Sequence, residues 1–204
     1  MDRTYHIATL GCKLNQFDSA AVEGRLRASG FRRAASPQQA AVVVVNTCTV
    51  TASADGQSRR LARRLRRESP DCTLIVMGCS TQRDPAPFRA AARVDALFGT
   101  GAAVEVARFA LGRFGNLGTL PEENSCAAGE FPLPAFADRT RAFLKVQEGC
   151  DLRCSYCIIP AVRGRSRSLP PERMEDQVRR LADSGYREIV LTGVNTGDYG
   201  RDLV

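Results

Sequence analysis

Six of the eight cysteines stand where thiolates do chemistry. The tightest group is Gly149-Cys150-Asp151-Leu152-Arg153-Cys154-Ser155-Tyr156-Cys157, which brings three thiolates into eight residues of a loop behind a strand-like segment. A zinc ribbon needs a fourth ligand, usually from a second paired knuckle. No such knuckle exists here, and the single histidine, His6, falls inside a strand-like segment. A dithiol reading of Cys154-Ser155-Tyr156-Cys157 leaves Cys150 idle. Three thiolates on a 4Fe–4S cluster leave one iron free to bind something else.

The second group is dispersed. Cys12 follows Thr9-Leu10-Gly11, Cys48 follows Val45-Asn46-Thr47, and Cys79 follows Val76-Met77-Gly78. Each trails a strand-like run. In a parallel sheet the carboxyl ends of the strands share one edge, which is where such folds bind ligands. Three thiolates there suit an iron–sulfur cluster with one open iron or a zinc with an open position. The competing reading is three buried small apolar residues. Cys72, at the entry of the third strand, reads as core, and Cys126 carries no assignment.

The positioning elements are legible in the pattern. Strand-like segments at residues 5–10, 41–46 and 73–77 alternate with helix-like segments at 18–29, 53–68, 86–92 and 103–111, as βα units do around a parallel sheet. Val42-Val43-Val44-Val45 is a β-branched run suited to burial on both faces. Glycines and prolines then break up the chain, so residues 113–139 read as a linker between residues 1–112 and residues 140–204. A strand at 141–147, a helix at 170–184 and a strand at 187–192 follow. The fold class is α/β, with a flavodoxin- or Rossmann-like N-terminal domain. The second unit amounts to about one β-α-β, too little to bury its own core, so the sequence is expected to be a piece of a longer protein.

The formal charge of +7 comes from 29 Lys plus Arg against 22 Asp plus Glu, and it favours an acidic partner, nucleic acid first. Six arginines crowd residues 59–67 on a helix, where they serve as a solvated face or as phosphate contacts. Arg163, Arg165 and Arg167, just after the cysteine loop, are the stronger expectation for RNA contact. No apolar run approaches the ~20 residues of a bilayer span, and the first residues carry no export signal. The expected setting is a reducing cytoplasm without membrane attachment.

The loop's spacing, with Tyr156 just before its last cysteine, resembles the radical S-adenosylmethionine (SAM) superfamily. There the open iron is chelated by the amino and carboxylate groups of SAM, which is cleaved to a 5′-deoxyadenosyl radical. With Leu10-Gly11-Cys12-Lys13-Leu14-Asn15-Gln16, Val45-Asn46-Thr47-Cys48-Thr49-Val50-Thr51, Met77-Gly78-Cys79 and residues 147–167, the chain resembles the methylthiotransferase family. Within it, residues 11–15, 46–51 and 191–200 most resemble the branch that modifies N6-threonylcarbamoyladenosine in tRNA.

The resemblance implies two 4Fe–4S clusters. One, on Cys150, Cys154 and Cys157, binds SAM. The other, on Cys12, Cys48 and Cys79, handles sulfur. It places Tyr156 near the SAM adenine and Thr192-Gly193 near the methionyl amine or ribose. It implies tRNA as partner and a chain that continues through a partial TIM-like barrel into a small RNA-binding domain. It names neither sulfur donor nor reductant, and no catalytic side chain is assigned. Sister branches act on isopentenyladenosine in tRNA or on a ribosomal-protein aspartate. A rival of another class is a non-catalytic metal module that binds RNA.

Overall fold

The computed structural model describes residues 2–114 and 140–203. Most of the expected 113–139 linker, with Cys126, lies outside the described residues. The first unit runs β1 (Thr4–Thr9), α1 (Lys13–Ala28), β2 (Arg32–Arg33), β3 (Val42–Thr47), α2 (Ala52–Glu68), β4 (Thr73–Gly78), α3 (Cys79–Arg83), α4 (Ala86–Ala91), β5 (Ala96–Leu97) and α5 (Ala103–Gly112). Its strands form one parallel sheet in the order β2-β1-β3-β4-β5. The order reverses direction between β1 and β3, a point where open α/β sheets leave a crevice at the carboxyl edge.

Val42 to Val45 are fully buried because both sheet faces are covered. Val42 and Val44 join Ala21, Val22 and Leu26 of α1 and Val106 and Ala110 of α5. Val43 and Val45 join Ala62 and Leu65 of α2 and Phe88 of α4. Cys72 is in this second core, as expected. Burying each valine contributes ~1.5 kcal/mol or more, so the run fixes β3 at the centre of the sheet.

The second unit runs β6 (Arg141–Lys145), β7 (Gln147–Glu148), α6 (Ile159–Arg163), β8 (Arg167–Ser168), α7 (Pro171–Asp183) and β9 (Glu188–Thr192). β6 pairs in parallel with β9, and β7 pairs antiparallel with β8. The described part of this unit borrows a core. Phe17 and Ala20 of α1 pack with Ala142, Leu144, Val146, Leu169 and Leu181. α1 therefore serves two sheets and is buried over most of its circumference.

That double service explains where α1 differs from the sequence reading. The helix begins at Lys13, five residues before the expected Asp18. No acidic first turn and no side-chain cap announce its start. Tertiary packing of Leu14, Asn15 and Phe17 sets it instead. The short elements α3, α6, β2 and β8 have no counterpart in the sequence reading, because they are too short to show a period.

Candidate functional site

The three dispersed cysteines converge. Cys12 is the residue before α1, Cys48 follows β3, and Cys79 opens α3 directly after β4. Asn15, one turn into α1, is the hub. Its amide Nδ2 donates to the carbonyls of Leu10 and Thr47, each at 2.8 Å, and so ties the ends of β1 and β3 together. Its Oδ1 accepts from the Cys12 thiol at 3.8 Å and from the Cys79 thiol at 4.0 Å. Those two sulfurs therefore stand less than about 8 Å apart.

Cys48 is held against the same turn. A Cβ on Gly11 would lie 2.8 Å from Cys48 Cβ and 2.9 Å from its Sγ, and Gly11 has φ of +101°. Both facts require glycine at that position. The Ser58 hydroxyl accepts from the Cys48 N–H at 3.2 Å. The Thr47 hydroxyl donates to the Met77 carbonyl at 2.7 Å and accepts from Ser80 N–H at 3.2 Å, which locks β3 to β4 where Cys79 begins. Cys48 and Cys79 are buried and Cys12 is exposed. Burial pushes the Cys79 thiol up to about 11, against the opposing charge and hydrogen bond of Arg163.

Among the described residues, no three His, Cys, Asp or Glu side chains stand close enough to share one metal ion. A single zinc binds sulfur at ~2.3 Å and draws its ligands into tight mutual contact. An iron–sulfur cluster is a larger body with its thiolates at separate corners. Cys12 and Cys79 meet at Asn15 and Cys48 lies against the Gly11 turn, an all-sulfur donor set of a kind that either group takes.

The loop cysteines are staged by β7. Gly149 has φ of +73°, and a Cβ there would lie 2.5 Å from the Arg165 carbonyl carbon and 2.7 Å from the Gly164 oxygen. The Cys150 N–H donates to that Gly164 oxygen at 3.1 Å, and the Cys157 N–H donates to the Cys154 carbonyl at 3.0 Å. The loop thus closes on the segment that follows it. Gly149→Ala is expected to cost about 2–4 kcal/mol through backbone strain and overlap. It should lower the thermal midpoint, which a circular dichroism melt measures.

Gln147, which sequence reasoning missed, anchors this arrangement. Its amide donates to the Gly149 carbonyl at 2.8 Å and to Ser166 Oγ at 2.9 Å. Its Oε1 accepts from the N–H groups of Val194 and Asn195, both at 2.9 Å. A Cβ on Gly193 would sit 3.0 Å from Gln147 Cβ. The Thr192-Gly193 strand end is therefore fastened to the root of the cysteine loop. Cys154 is exposed, and Tyr156 is 90% exposed.

Between the two cysteine groups lies a buried ring of charge. Lys145 Nζ donates to Asp18 Oδ1 at 2.9 Å and to Glu148 Oε2 at 2.8 Å. Arg163 donates to Glu148 Oε1 at 2.5 Å, to Asp18 Oδ2 at 3.2 Å and to Asn15 Oδ1 at 2.7 Å. This corrects the expectation that Arg163 contacts RNA. Its side chain is 1% exposed and fully engaged, so no phosphate reaches it. Arg165 and Arg167 do face solvent. On α2, Arg66 is committed to the Arg93, Pro70 and Cys72 carbonyls and to Asp95, while Arg60, Arg63 and Arg67 are exposed.

Residues 4–99 match the uncharacterized protein family UPF0004, and residues 144–203 match the radical SAM superfamily. The threonylcarbamoyladenosine tRNA methylthiotransferase MtaB of Bacillus subtilis (strain 168) is 41% identical over 206 residues, covering 96% of this chain and 44% of that protein. MtaB of Chlamydia pneumoniae is 36% identical, covering 96% and 44%. The tRNA-2-methylthio-N(6)-dimethylallyladenosine synthase of Natranaerobius thermophilus is 31% identical, covering 98% and 46%. The chain thus spans less than half the length of these relatives. The radical SAM methyltransferase TsrM of Kitasatospora setae superposes with a TM-score of 0.61 at 14% identity, covering 96% of this chain and 49% of that one, a likeness of fold. A UPF0004 domain with a cysteine at three strand ends, followed by a radical SAM domain with its three-cysteine loop, makes this chain a member of the methylthiotransferase family of the radical SAM superfamily.

Proposed function

We propose that this chain belongs to a tRNA methylthiotransferase that converts N6-threonylcarbamoyladenosine next to the anticodon to its 2-methylthio derivative. The observation that carries the reading is the meeting of Cys12 and Cys79 at Asn15, with Cys48 held against the adjoining Gly11 turn, next to the segment that follows the Cys150–Cys157 loop. Relatives named for that substrate support the choice of substrate.

In this reading Cys150, Cys154 and Cys157 hold one 4Fe–4S cluster and Cys12, Cys48 and Cys79 hold another. When bound, the clusters and SAM supply the radical, sulfur and methyl chemistry that an unactivated adenine C–H bond requires. The chain's own part is positioning. Gln147 fixes the Thr192-Gly193 strand end against the loop root, where SAM would lie. Tyr156 projects from the loop toward solvent and is free to close on a bound adenine. Asn15 sets the spacing of the strand-end sulfurs. The exposed Cys12 keeps one side of that site open to an incoming sulfur.

Arg165 and Arg167 are the proposed phosphate contacts. Arg165→Glu combined with Arg167→Glu is expected to weaken tRNA binding and to flatten its salt dependence by about one to two units of log–log slope. A filter-binding titration across salt concentrations measures both, and an unchanged slope removes these residues from the interface.

The second substrate reading, dimethylallyladenosine in tRNA, rests on the Natranaerobius relative. Mass spectrometry of tRNA nucleosides from cells with and without the gene decides. Loss of the methylthio mark from threonylcarbamoyladenosine supports the first reading. Loss from the dimethylallyl nucleoside replaces it with the second. An unaltered nucleoside profile overturns both.

A further inference from the structure

We propose that Arg163 is a positioning residue of the strand-end cysteine site, delivered from the other half of the chain, and that its guanidinium sets the reduction potential of the cluster held by Cys12, Cys48 and Cys79. The proposal rests on the reading of that trio as an iron–sulfur site.

Arg163 closes α6, six residues after the last loop cysteine. Its Nη2 lies 2.7 Å from Asn15 Oδ1, the same oxygen that lies 3.8 Å from the Cys12 sulfur and 4.0 Å from the Cys79 sulfur. The guanidinium cannot turn away, because Glu148 and Asp18 grip it from the other side. A planar fork with several fixed donors suits this position, serving two carboxylates and an amide oxygen together, and a lysine ammonium does not match it. Arg163 and the two sulfurs thus share one oxygen, Asn15 Oδ1, as their common contact.

The ring of Asp18, Lys145, Glu148 and Arg163 balances two positive charges against two negative ones. Three thiolates and a cluster add negative charge on the Asn15 flank of this ring, where Arg163 is the ring cation that reaches their shared contact. Nearby charge and hydrogen bonds to sulfur are the levers that set cluster potentials. Removing this cation makes uptake of an electron less favourable. The strand-end site is then complete only while α6, and hence the loop segment before it, is docked.

The test isolates the strand-end cluster by removing all three loop cysteines (Cys150→Ala, Cys154→Ala, Cys157→Ala) in the full-length protein. Arg163→Met, Arg163→Lys and Lys145→Met are then added singly. After anaerobic reconstitution, iron per chain is counted and the midpoint potential is read by an optical and EPR redox titration. Circular dichroism melts report folding.

Arg163→Met is expected to move the potential to more negative values and to weaken iron retention. Arg163→Lys should shift it in the same direction by less, which keeps the test open if the methionine variant does not fold. Lys145→Met breaks the same ring on its other arm and should leave the potential in place. An unmoved potential in both Arg163 variants overturns the proposal. An equal shift from Lys145→Met also overturns it, since loosening of the interface then accounts for the effect. If the background protein binds no iron, the reading of the trio fails and the role of Arg163 falls with it.

Discussion

Alanine at Cys154 is expected to abolish SAM cleavage outright while roughly half the iron stays bound, about four of eight atoms by the 4Fe–4S stoichiometry. Cys154 is the exposed member of the loop trio. Its removal takes away one of three sulfurs without touching Asn15, Gln147 or the charge ring. The strand-end trio lies on different elements and keeps all its ligands. Release of 5′-deoxyadenosine under a strong reductant, measured by chromatography beside iron content, reads both parts at once. Persisting cleavage in this variant contradicts the assignment of the loop.

The second large effect concerns stability. Glu148 accepts from both Lys145 and Arg163, and its side chain is 6% exposed. Glu148→Ala takes one of the two carboxylates of the ring from two buried cations. Breaking a buried pair in this way costs about 3–5 kcal/mol, or on the order of 10 °C in melting temperature for a chain of this size. The sign of the pH dependence follows from the same contacts. Burial alone would raise the Glu148 pKa, but Lys145 and Arg163 outweigh it and hold the carboxyl below its ordinary range. Its contribution is therefore fully present above the ordinary carboxylate value of about 4.3 and is lost as pH falls through the lower folded value. Lys145 is held above its ordinary range by Asp18 and Glu148 despite the opposing effect of burial, so its share is lost only at strongly alkaline pH. The wild-type melting temperature should fall steeply below about pH 4, and Glu148→Ala should flatten that acid limb. A melting temperature within error of wild type for the variant at neutral pH contradicts the role given to the ring.

What the sequence made legible was local. The valine run from Val42 to Val45 marked the central strand, and the cysteines after three strand-like segments marked a shared edge. Parallel pairing then delivered them there without any further signal. Gly11 and Gly78, each just before one of those cysteines, stand at positive φ, which only the structure shows. Long-range polar contacts leave no imprint on residue type. Lys145 reaches Asp18 across 127 positions, and Arg163 reaches Asn15 across 148. In the sequence, Arg163 differs in no way from Arg165, yet one is sealed inside and the other is 90% exposed. Gln147 was hidden for a related reason. It reads as the last residue of a strand, and only the close return of residues 193–195 turns its amide into a hub. The early start of α1 was hidden because a helix shared by two cores shows little apolar periodicity.

Metal analysis of anaerobically reconstituted full-length protein tests the central claim most directly. The account predicts about eight irons and eight labile sulfides per chain, by the 4Fe–4S count. It predicts about half of each when either trio, Cys12, Cys48 and Cys79 or Cys150, Cys154 and Cys157, is changed to alanine. One or two zinc ions in place of iron, or an iron content unmoved by loss of the strand-end trio, contradicts it.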